Sequence, residues 1–248
     1  MAKNKVVYGD TTIMDITDTT AEAADVAAGK VFYNRAGERI TGTYVPGAIP
    51  DEYQRVMFLR SRSKNTYIDT GLQLDGTLCV ECEGRTGTNN SGILFDAYES
   101  SSLRMGGILY NRSNKRYDRY WTGVGYAQLD TTGIELGNTF RLVQNRFGVG
   151  IVQGSVVTSR AYQGTDAKSA SANVLLFSSQ RTDYNPDLSD ILWLRITNGE
   201  TVVRDYVPVV RVADSKPGMY YRAKGEFYTN AGTGQEFEYG DPVQGGNT

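Results

Sequence analysis

The densest group of aromatic side chains in the sequence lies in residues 116–126. This run combines tyrosine and tryptophan rings with arginine and aspartate, and proteins commonly bind sugar rings with such sets. The candidate ligand-binding residues are Tyr117, Asp118, Arg119, Tyr120, Trp121 and Tyr126. In a β-strand, however, Tyr117, Arg119 and Trp121 would share one face and could pack in a core instead. The run therefore indicates either a sugar-binding surface or a strand that contributes rings to a core.

A second candidate site is the acidic loop formed by residues 183–190. Its possible metal ligands are Asp183, Asn185, Asp187 and Asp190. Carboxylate and amide oxygens are the ligands that calcium prefers, although this spacing is not that of an EF-hand. Loops of this composition also form turns in which Asp and Asn side chains bond their own backbone. We expect the protein to have no cofactor. The loop is expected to form an ordinary turn, and the alternative is that it binds calcium.

The absence of histidine from the sequence excludes whole classes of enzyme. Without an imidazole there is no histidine base, no serine or cysteine triad of the usual kind, and no histidine-bound metal. A pair of carboxylates on opposite sides of a cleft could still cleave a glycosidic bond. Glu81 and Glu83 share a face of one predicted strand, but we expect both to be solvated. The sequence therefore favours a protein that is not an enzyme.

Two cysteines, Cys79 and Cys82, form a C-x-x-C motif. Four protein ligands complete a structural zinc site, and the sequence contains no second pair of cysteines or histidines to supply them. Residues 77–83 alternate as a half-buried strand, which places residues three apart on opposite faces and disfavours a disulfide between them. We expect two buried, unreactive thiols.

The charge balance limits the partners of the chain. The sequence has 26 Lys and Arg residues against 28 Asp and Glu residues, so no basic field is expected to collect nucleic acid. It also lacks a signal-peptide core and any long apolar run. We therefore expect a soluble protein that is not exported by the Sec pathway, does not insert in a membrane and does not bind nucleic acid.

The chain divides by composition into two modules. Residues 1–44 predict a small mixed α/β module with strands at 5–8 and 11–16, a helix from Thr19 to Gly29 that begins with a capping box, and a β-hairpin around 34–37. Residues 45–51 contain two prolines and form a predicted linker. Residues 52–240 predict short strands separated by turns rich in Gly, Asn and Ser, which is typical of an antiparallel β-sandwich.

Three finer features are predicted within and after this sandwich. The run at residues 191–196 breaks polar alternation and indicates a strand buried on both faces. The Asn198-Gly199 pair then indicates a two-residue hairpin into the next strand. Residues 241–248 are expected to form a flexible C-terminal tail.

Particular stretches resemble known families. The motifs VYGDTTIMDIT at 7–17, AGK at 28–30 and NRAGERITGT at 34–43 resemble a small module that opens many bacteriophage and prophage tail proteins. The motifs EYQRVMFL at 52–59, TYIDTG at 66–71, VRDYVPV at 203–209 and GEFYTNAGTG at 225–234 resemble the concanavalin-like, laminin-G-type jelly-roll domains of such proteins. Residues 85–187 depart most from that pattern.

These resemblances imply a lectin-like jelly-roll sandwich on a phage tail, baseplate or tail fibre. The expected function is adhesion to the host surface or to its polysaccharide. The alternatives are a purely architectural virion protein and, third, a polysaccharide depolymerase. The resemblance implies that the N-terminal module contacts other tail proteins, and such a small module in a symmetric tail favours a homotrimer or ring. The expected location is the virion, after assembly in the host cytoplasm.

Overall fold

The chain forms two compact units, residues 1–48 and residues 49–247. The computed structural model describes residues 5–8, 11–15, 20–21, 26, 30–41, 48–63, 65–87, 92–100, 102–110, 116–122, 125–161, 168–178 and 189–244. The boundary between the units falls inside the segment 45–51 that the sequence predicts as a linker.

The described residues of the first unit form two antiparallel strand pairs. β1 (Lys5–Tyr8) pairs with β2 (Thr11–Asp15), and β3 (Val31–Tyr33) pairs with β4 (Arg39–Thr41). The turn between β3 and β4 is closed by Asn34, whose Oδ1 accepts hydrogen bonds from the backbone N–H groups of Ala36 and Glu38 at 3.0 and 2.9 Å. Gly37 adopts φ 77° in this turn, a conformation that favours glycine. The predicted helix between Thr19 and Gly29 lies largely outside the described residues.

The strands of the second unit are β5 (Tyr53–Arg55), β6 (Leu59–Ser61), β7 (Ile68–Asp75), β8 (Leu78–Thr86), β9 (Phe95–Tyr98), β10 (Arg104–Tyr110), β11 (Arg116–Trp121), β12 (Gly125–Asp130), β13 (Phe140–Asn145), β14 (Gly148–Gln153), β15 (Val156–Ala161), β16 (Ser169–Leu176), β17 (Ser189–Asn198), β18 (Thr201–Arg211), β19 (Lys216–Tyr221), β20 (Glu226–Tyr228) and β21 (Glu238–Tyr239). Over the described part of the chain, no helix is long and apolar enough to span a membrane.

These strands form two antiparallel sheets. Within the described residues, the smaller sheet has six strands in the order β12-β11-β10-β9-β16-β7. The larger sheet has eleven strands, eight of them in the order β15-β14-β13-β8-β17-β18-β19-β20, with β5, β6 and β21 paired at its side. Along the sequence, the chain passes repeatedly between the two sheets: β7 lies in the smaller sheet, β8 in the larger, β9 to β12 in the smaller and β13 to β15 in the larger.

The two sheets face each other across one hydrophobic core. Phe95 and Val174 contribute to it from the smaller sheet, and Leu142 and Leu194 contribute from the larger sheet. Strand β8 shows the alternation that produces this arrangement, because every second residue from Leu78 is buried. Full burial of each large aliphatic side chain contributes about 1.5–3 kcal/mol. The predicted antiparallel β-sandwich is therefore confirmed.

Side chains join two edges of the sheets. On β15, Arg160 Nη1 donates a 2.7 Å hydrogen bond to the carbonyl oxygen of Gln128, and Thr158 Oγ1 donates a 2.7 Å bond to that of Asp130. Both acceptors belong to β12, the outermost strand of the smaller sheet. These bonds satisfy carbonyl groups at an edge that would otherwise be open to another strand.

Strand β17 differs from its prediction. Ile191, Leu194 and Ile196 are fully buried, whereas Leu192, Trp193 and Arg195 are only half-buried. The pairing with β8 shifts between Ile191 and Trp193, and such a β-bulge inserts a residue that breaks the alternation of faces. The prediction of a strand buried on both faces was wrong, because the irregular pattern results from this bulge.

Two further details refine the predicted boundaries. The hairpin after β17 has Gly199 and Glu200 as its two loop residues, since Asn198 pairs with Thr201; the predicted turn was therefore one residue early. Beyond β21, Pro242 forms a bridge with Val56, and the Val243 N–H donates a 3.0 Å hydrogen bond to the carbonyl oxygen of Arg55. Part of the predicted tail thus belongs to the sandwich.

Candidate functional site

The outer face of the larger sheet contains an open groove of about 350 Å³. The residues that line it come from the central strands and from the segments beside them. They are Arg55, Glu81, Arg141, Trp193, Arg195, Asp205, Val207 and Arg222. This lining combines one large aromatic ring with seven other side chains, six of them charged. We name this feature the Trp193 groove.

Trp193 reaches the outer face because of the bulge in β17. Its neighbours Ile191 and Leu194 both point into the core although they are three residues apart, which a regular strand does not permit. The indole Nε1–H donates a 2.7 Å hydrogen bond to Oε2 of Glu83. Glu83 lies directly opposite Trp193 on β8. This hydrogen bond fixes the plane of the indole ring within the groove.

The charged side chains beside Trp193 alternate in sign across the sheet. Glu81 pairs in register with Arg195, and Arg195 pairs with Asp205. Arg222 donates a 2.6 Å hydrogen bond from Nη2 to Oδ2 of Asp205, while Arg195 Nη2 lies 3.5 Å from the same oxygen. Opposite charges on neighbouring strands stabilise a sheet by up to about 1 kcal/mol per pair. The row thus holds its side chains in place before any ligand binds.

Arg141 forms another wall of the groove. Its Nε donates a 2.6 Å hydrogen bond to Oε1 of Glu81, and its guanidinium carbon lies 5.9 Å from the centre of the Trp193 ring. Glu81 and Glu83, which we expected to be solvated, therefore each have a partner: Arg141 bonds the first and the Trp193 indole bonds the second.

An apolar cluster supports one end of the groove. Ile49, Val207, Val209 and Tyr220 are buried together on the outer face, and Trp193 packs against them. Trp193 is half-buried and packs against these apolar side chains. The groove therefore has an apolar floor, and the charged side chains form its walls. Sites that bind small polar ligands commonly combine an aromatic surface with a few placed polar groups.

The rings at both ends of β11 lie in the core and not in this groove. Tyr117 and Trp121 are 4% and 1% exposed. The hydroxyl group of Tyr117 donates a 2.6 Å hydrogen bond to Oε1 of Gln144, and the Trp121 indole donates a 3.0 Å bond to the carbonyl oxygen of Gly76. The alternative of core packing therefore holds for these two rings, because they fill the space between the sheets.

The described side chains of Asp118, Arg119 and Tyr120 also lie away from the Trp193 groove. Asp118 and Arg119 are 3% and 1% exposed, and Asp118 lies 2.9 Å from Arg116 Nε. Tyr120 is half-buried beneath the guanidinium group of Arg104, which lies 3.7 Å from the ring centre. Tyr126 pairs with Tyr120 through the backbone of β12, and its side chain is outside the described part of the chain.

The candidate calcium loop is only partly described. Asp183, Asn185 and Asp187 lie outside the described residues, whereas Asp190 is the second residue of β17. The Asp190 carboxylate accepts hydrogen bonds from Arg60 and Arg85. Two guanidinium groups therefore occupy its oxygens, an arrangement that competes with metal binding. Among the described residues, no group of three or more acidic, His or Cys side chains could hold a metal ion.

The two cysteines are unpaired thiols. They point to opposite faces of β8, as predicted: Cys82 is buried in the core, whereas Cys79 is half-buried on the outer face. Burial raises the pKa of both thiols, and in Cys82 it does so most strongly. Cys82 is thus the buried thiol that we expected, but Cys79 is less buried than predicted because it lies on the partly solvated side of the sheet.

Sequence reasoning missed the Trp193 groove because each of its strands contributes only one or two residues. A signal for it was present in β8, where Cys79, Glu81, Glu83 and Arg85 alternate with buried residues. Strand β13 repeats this alternation with the exposed Arg141 between Phe140 and Leu142. Alternation predicts an outer face with charged side chains, but it does not predict which strands are neighbours in the sheet.

The solved structures described below share 10–12% sequence identity with this chain. No family model matches the chain, and no curated protein matches it. A heptameric SAP-like pentraxin from Limulus polyphemus is 12% identical over 59% of this chain and 77% of that chain, with a TM-score of 0.42. A toad ovary galectin in complex with thio-digalactose is 12% identical over 53% and 98%, with a TM-score of 0.31. Scytalido-glutamic peptidase with a peptide-based transition state analog is 10% identical over 77% and 98%, with a TM-score of 0.34.

Proposed function

We propose that this protein is a non-enzymatic adhesion protein whose β-sandwich binds carbohydrate in the Trp193 groove. The observation on which this rests is the indole ring of Trp193, held by Glu83 and surrounded by charged side chains in an open groove. A sugar ring presents apolar C–H groups on its faces and hydroxyl groups at its edge. The ring of Trp193 can stack against the apolar C–H face, and the side chains of Glu81, Arg195 and Asp205 can form hydrogen bonds with the hydroxyl groups.

The biological setting that we propose is a bacteriophage tail, baseplate or tail fibre, or a tail-like particle. This part of the proposal rests on the resemblance of residues 7–43 to the modules that open many tail proteins. The first unit would attach the protein to other tail proteins, and the sandwich would contact host polysaccharide. Placed in a symmetric tail, the protein would act as a homotrimer or ring, in which several weak sites bind one polysaccharide together.

The test is glycan binding by the full chain and by groove variants. A glycan array first identifies ligands, and titration calorimetry then measures the affinity of the best one. Trp193→Ala should weaken binding about tenfold or more, since stacking and burial on an aromatic ring contribute on the order of 1–2 kcal/mol. Trp193→Phe keeps a ring against Val207 but loses the bond to Glu83, so it should have an intermediate affinity.

The matched control is Phe147→Ala, which removes an exposed aromatic ring, 56% accessible, that does not line the groove. It should leave glycan binding unchanged. Carbohydrate binding at this groove is refuted if folded Trp193→Ala binds as tightly as the unmodified chain. If no glycan binds at all, the protein is architectural, and if the array ligands are shortened during incubation, it is a depolymerase.

A further inference from the structure

The Trp193 groove has more positive than negative charge on its lining. Four arginines line it, Arg55, Arg141, Arg195 and Arg222, against the two carboxylates of Glu81 and Asp205. Even when Glu83 behind the indole is included, the arginines outnumber the acids. The whole chain has the opposite balance, with a net charge of −2. The groove is therefore a local positive region on a slightly acidic protein.

The pairing of these groups leaves specific donors available. Arg141 is bonded to Glu81, and Arg222 is bonded to Asp205. Arg195 has only a 3.5 Å approach to Asp205, and its guanidinium group makes no hydrogen bond with the described residues. Arg55 forms neither an ion pair nor a side-chain hydrogen bond within the described part of the chain. Two guanidinium groups in the same groove thus retain donors for a ligand.

A guanidinium group presents planar pairs of N–H donors that match the two oxygens of a carboxylate. The side chain of Arg195 is 42% exposed, and it is adjacent to Trp193 on the outer face of the sheet. A ligand that stacks on the indole could therefore direct an acidic substituent toward Arg195. Because a neutral sugar would leave this excess of positive charge uncompensated, the charges favour an acidic sugar over a neutral one.

We infer that the ligand of the Trp193 groove is an acidic saccharide, one whose carboxylate is bound by Arg195 and Arg55 while its ring stacks on Trp193. This inference rests on the proposed carbohydrate-binding function and specifies its substrate class. A saccharide fits better than an acidic peptide, because the site joins a flat aromatic surface to its arginines.

The experiment compares acidic glycans with the same glycans after their carboxyl groups have been reduced to primary alcohols. One pair is oligogalacturonate and its carboxyl-reduced form, and further pairs are printed on the array. The full chain should bind the acidic member at least about tenfold more tightly, the size of effect expected for one charge-assisted contact. Added salt should weaken binding of the acidic member more than binding of the reduced member, because salt screens exposed charges.

Arg195→Gln and Arg55→Gln should each lower affinity for the acidic member by a larger factor than affinity for its reduced partner, so that the ratio of the two affinities falls toward one. Arg62→Gln is the matched control, because Arg62 is 54% exposed and pairs with Glu238, which does not line the groove. The decisive comparison is between the acidic and the reduced glycan in their binding to a folded Arg195→Gln Arg55→Gln double variant.

Each outcome distinguishes the two proposals. Equal binding of acidic and reduced glycans by the full chain overturns the acidic-ligand inference and leaves carbohydrate binding intact. Binding of neither kind overturns the proposed function itself. An acidic preference that survives in the folded double variant shows that other residues select the ligand. If oligoglutamate displaces the acidic glycan at equal concentration, the groove binds carboxylates without selecting saccharides, which also overturns the inference.

Discussion

Asp190 is either the centre of an ion-pair cluster or a calcium ligand, and the stability of Asp190 variants decides between the two. Its side chain is 2% exposed, yet it lies between two cations. Oδ1 accepts a 2.6 Å hydrogen bond from Arg60 Nε, and Oδ2 accepts one of 2.8 Å from Arg60 Nη2. Arg85 also donates from Nε to Oδ2. The ring of Phe58 lies 4.8 and 4.4 Å from the guanidinium carbons of Arg60 and Arg85.

Asp190→Ala would leave both guanidinium groups without this counterion. Removal of one partner from a fully buried pair costs about 3–5 kcal/mol. The side chains of Arg60 and Arg85 remain 25% and 31% exposed, so water can solvate them in part, and we expect a loss of about 2–3 kcal/mol. Asp190→Asn keeps one acceptor oxygen and should cost less, about 1–2 kcal/mol.

Urea unfolding followed by tryptophan fluorescence measures these losses, provided that the m-value is unchanged. Glu238→Ala is the surface comparison, since the ion pair of Glu238 with Arg62 has side chains 44% and 54% exposed. Glu238 also lies 4.0 Å from Arg60 Nη1, farther than Asp190 lies from Arg60, and its removal should cost less than about 1 kcal/mol. The ion-pair explanation is refuted if Asp190→Ala costs no more than this control. A calcium-induced rise in stability that disappears in Asp190→Asn would instead identify Asp190 as a metal ligand.

Three other predictions concern the two thiols and the division of the chain into two units. Burial raises the pKa of Cys82 and Cys79. In the native protein at pH 8, a thiol reagent should therefore leave Cys82 unmodified and react slowly with Cys79, and in urea it should modify both thiols. Rapid labelling of Cys82 in the native protein would contradict this prediction. The double variant Cys79→Ser Cys82→Ser should retain glycan binding with only a modest loss of stability. Residues 49–248 alone should fold as a β protein and bind glycan but fail to join a tail particle, as measured by circular dichroism, calorimetry and particle assembly. Incorporation of this truncated chain would show that the first unit is not the attachment module.

The strand-rich character of residues 52–240 could be predicted from sequence, whereas the edge strands β12 and β15 give a weak sequence signal for a physical reason. β12 and β15 lie at the outer edges of their sheets, and Val157 and Arg160 of β15 are exposed. An edge strand buries little apolar surface, so its sequence shows little alternation. Central strands such as β8 bury one face completely and show a regular alternation of apolar residues.

The candidate site was harder to predict, because it depends on which residues a fold brings together. The aromatic run at 117–121 was the most conspicuous group in the sequence, yet Tyr117 and Trp121 fill the core. Trp193 lay in a stretch with the pattern of a buried strand, and only the bulge beside Ile191 places it on the outer face. Local pattern therefore indicated which residue types a candidate site would contain, but it did not indicate the strand on which they lie.

The two outer faces of the sandwich differ in a way that favours the larger sheet as the binding surface. On the smaller sheet, the outward-pointing Asp96 and Arg104 are 1% and 2% exposed and bond each other through Arg104 Nε at 3.1 Å. Groups so deeply buried leave little surface for a ligand to contact. On the larger sheet, the side chain of Arg195 keeps 42% of its surface and that of Arg141 keeps 58%. Exposed donors beside a fixed indole can exchange water for ligand oxygens, which supports the proposal that this face binds the ligand.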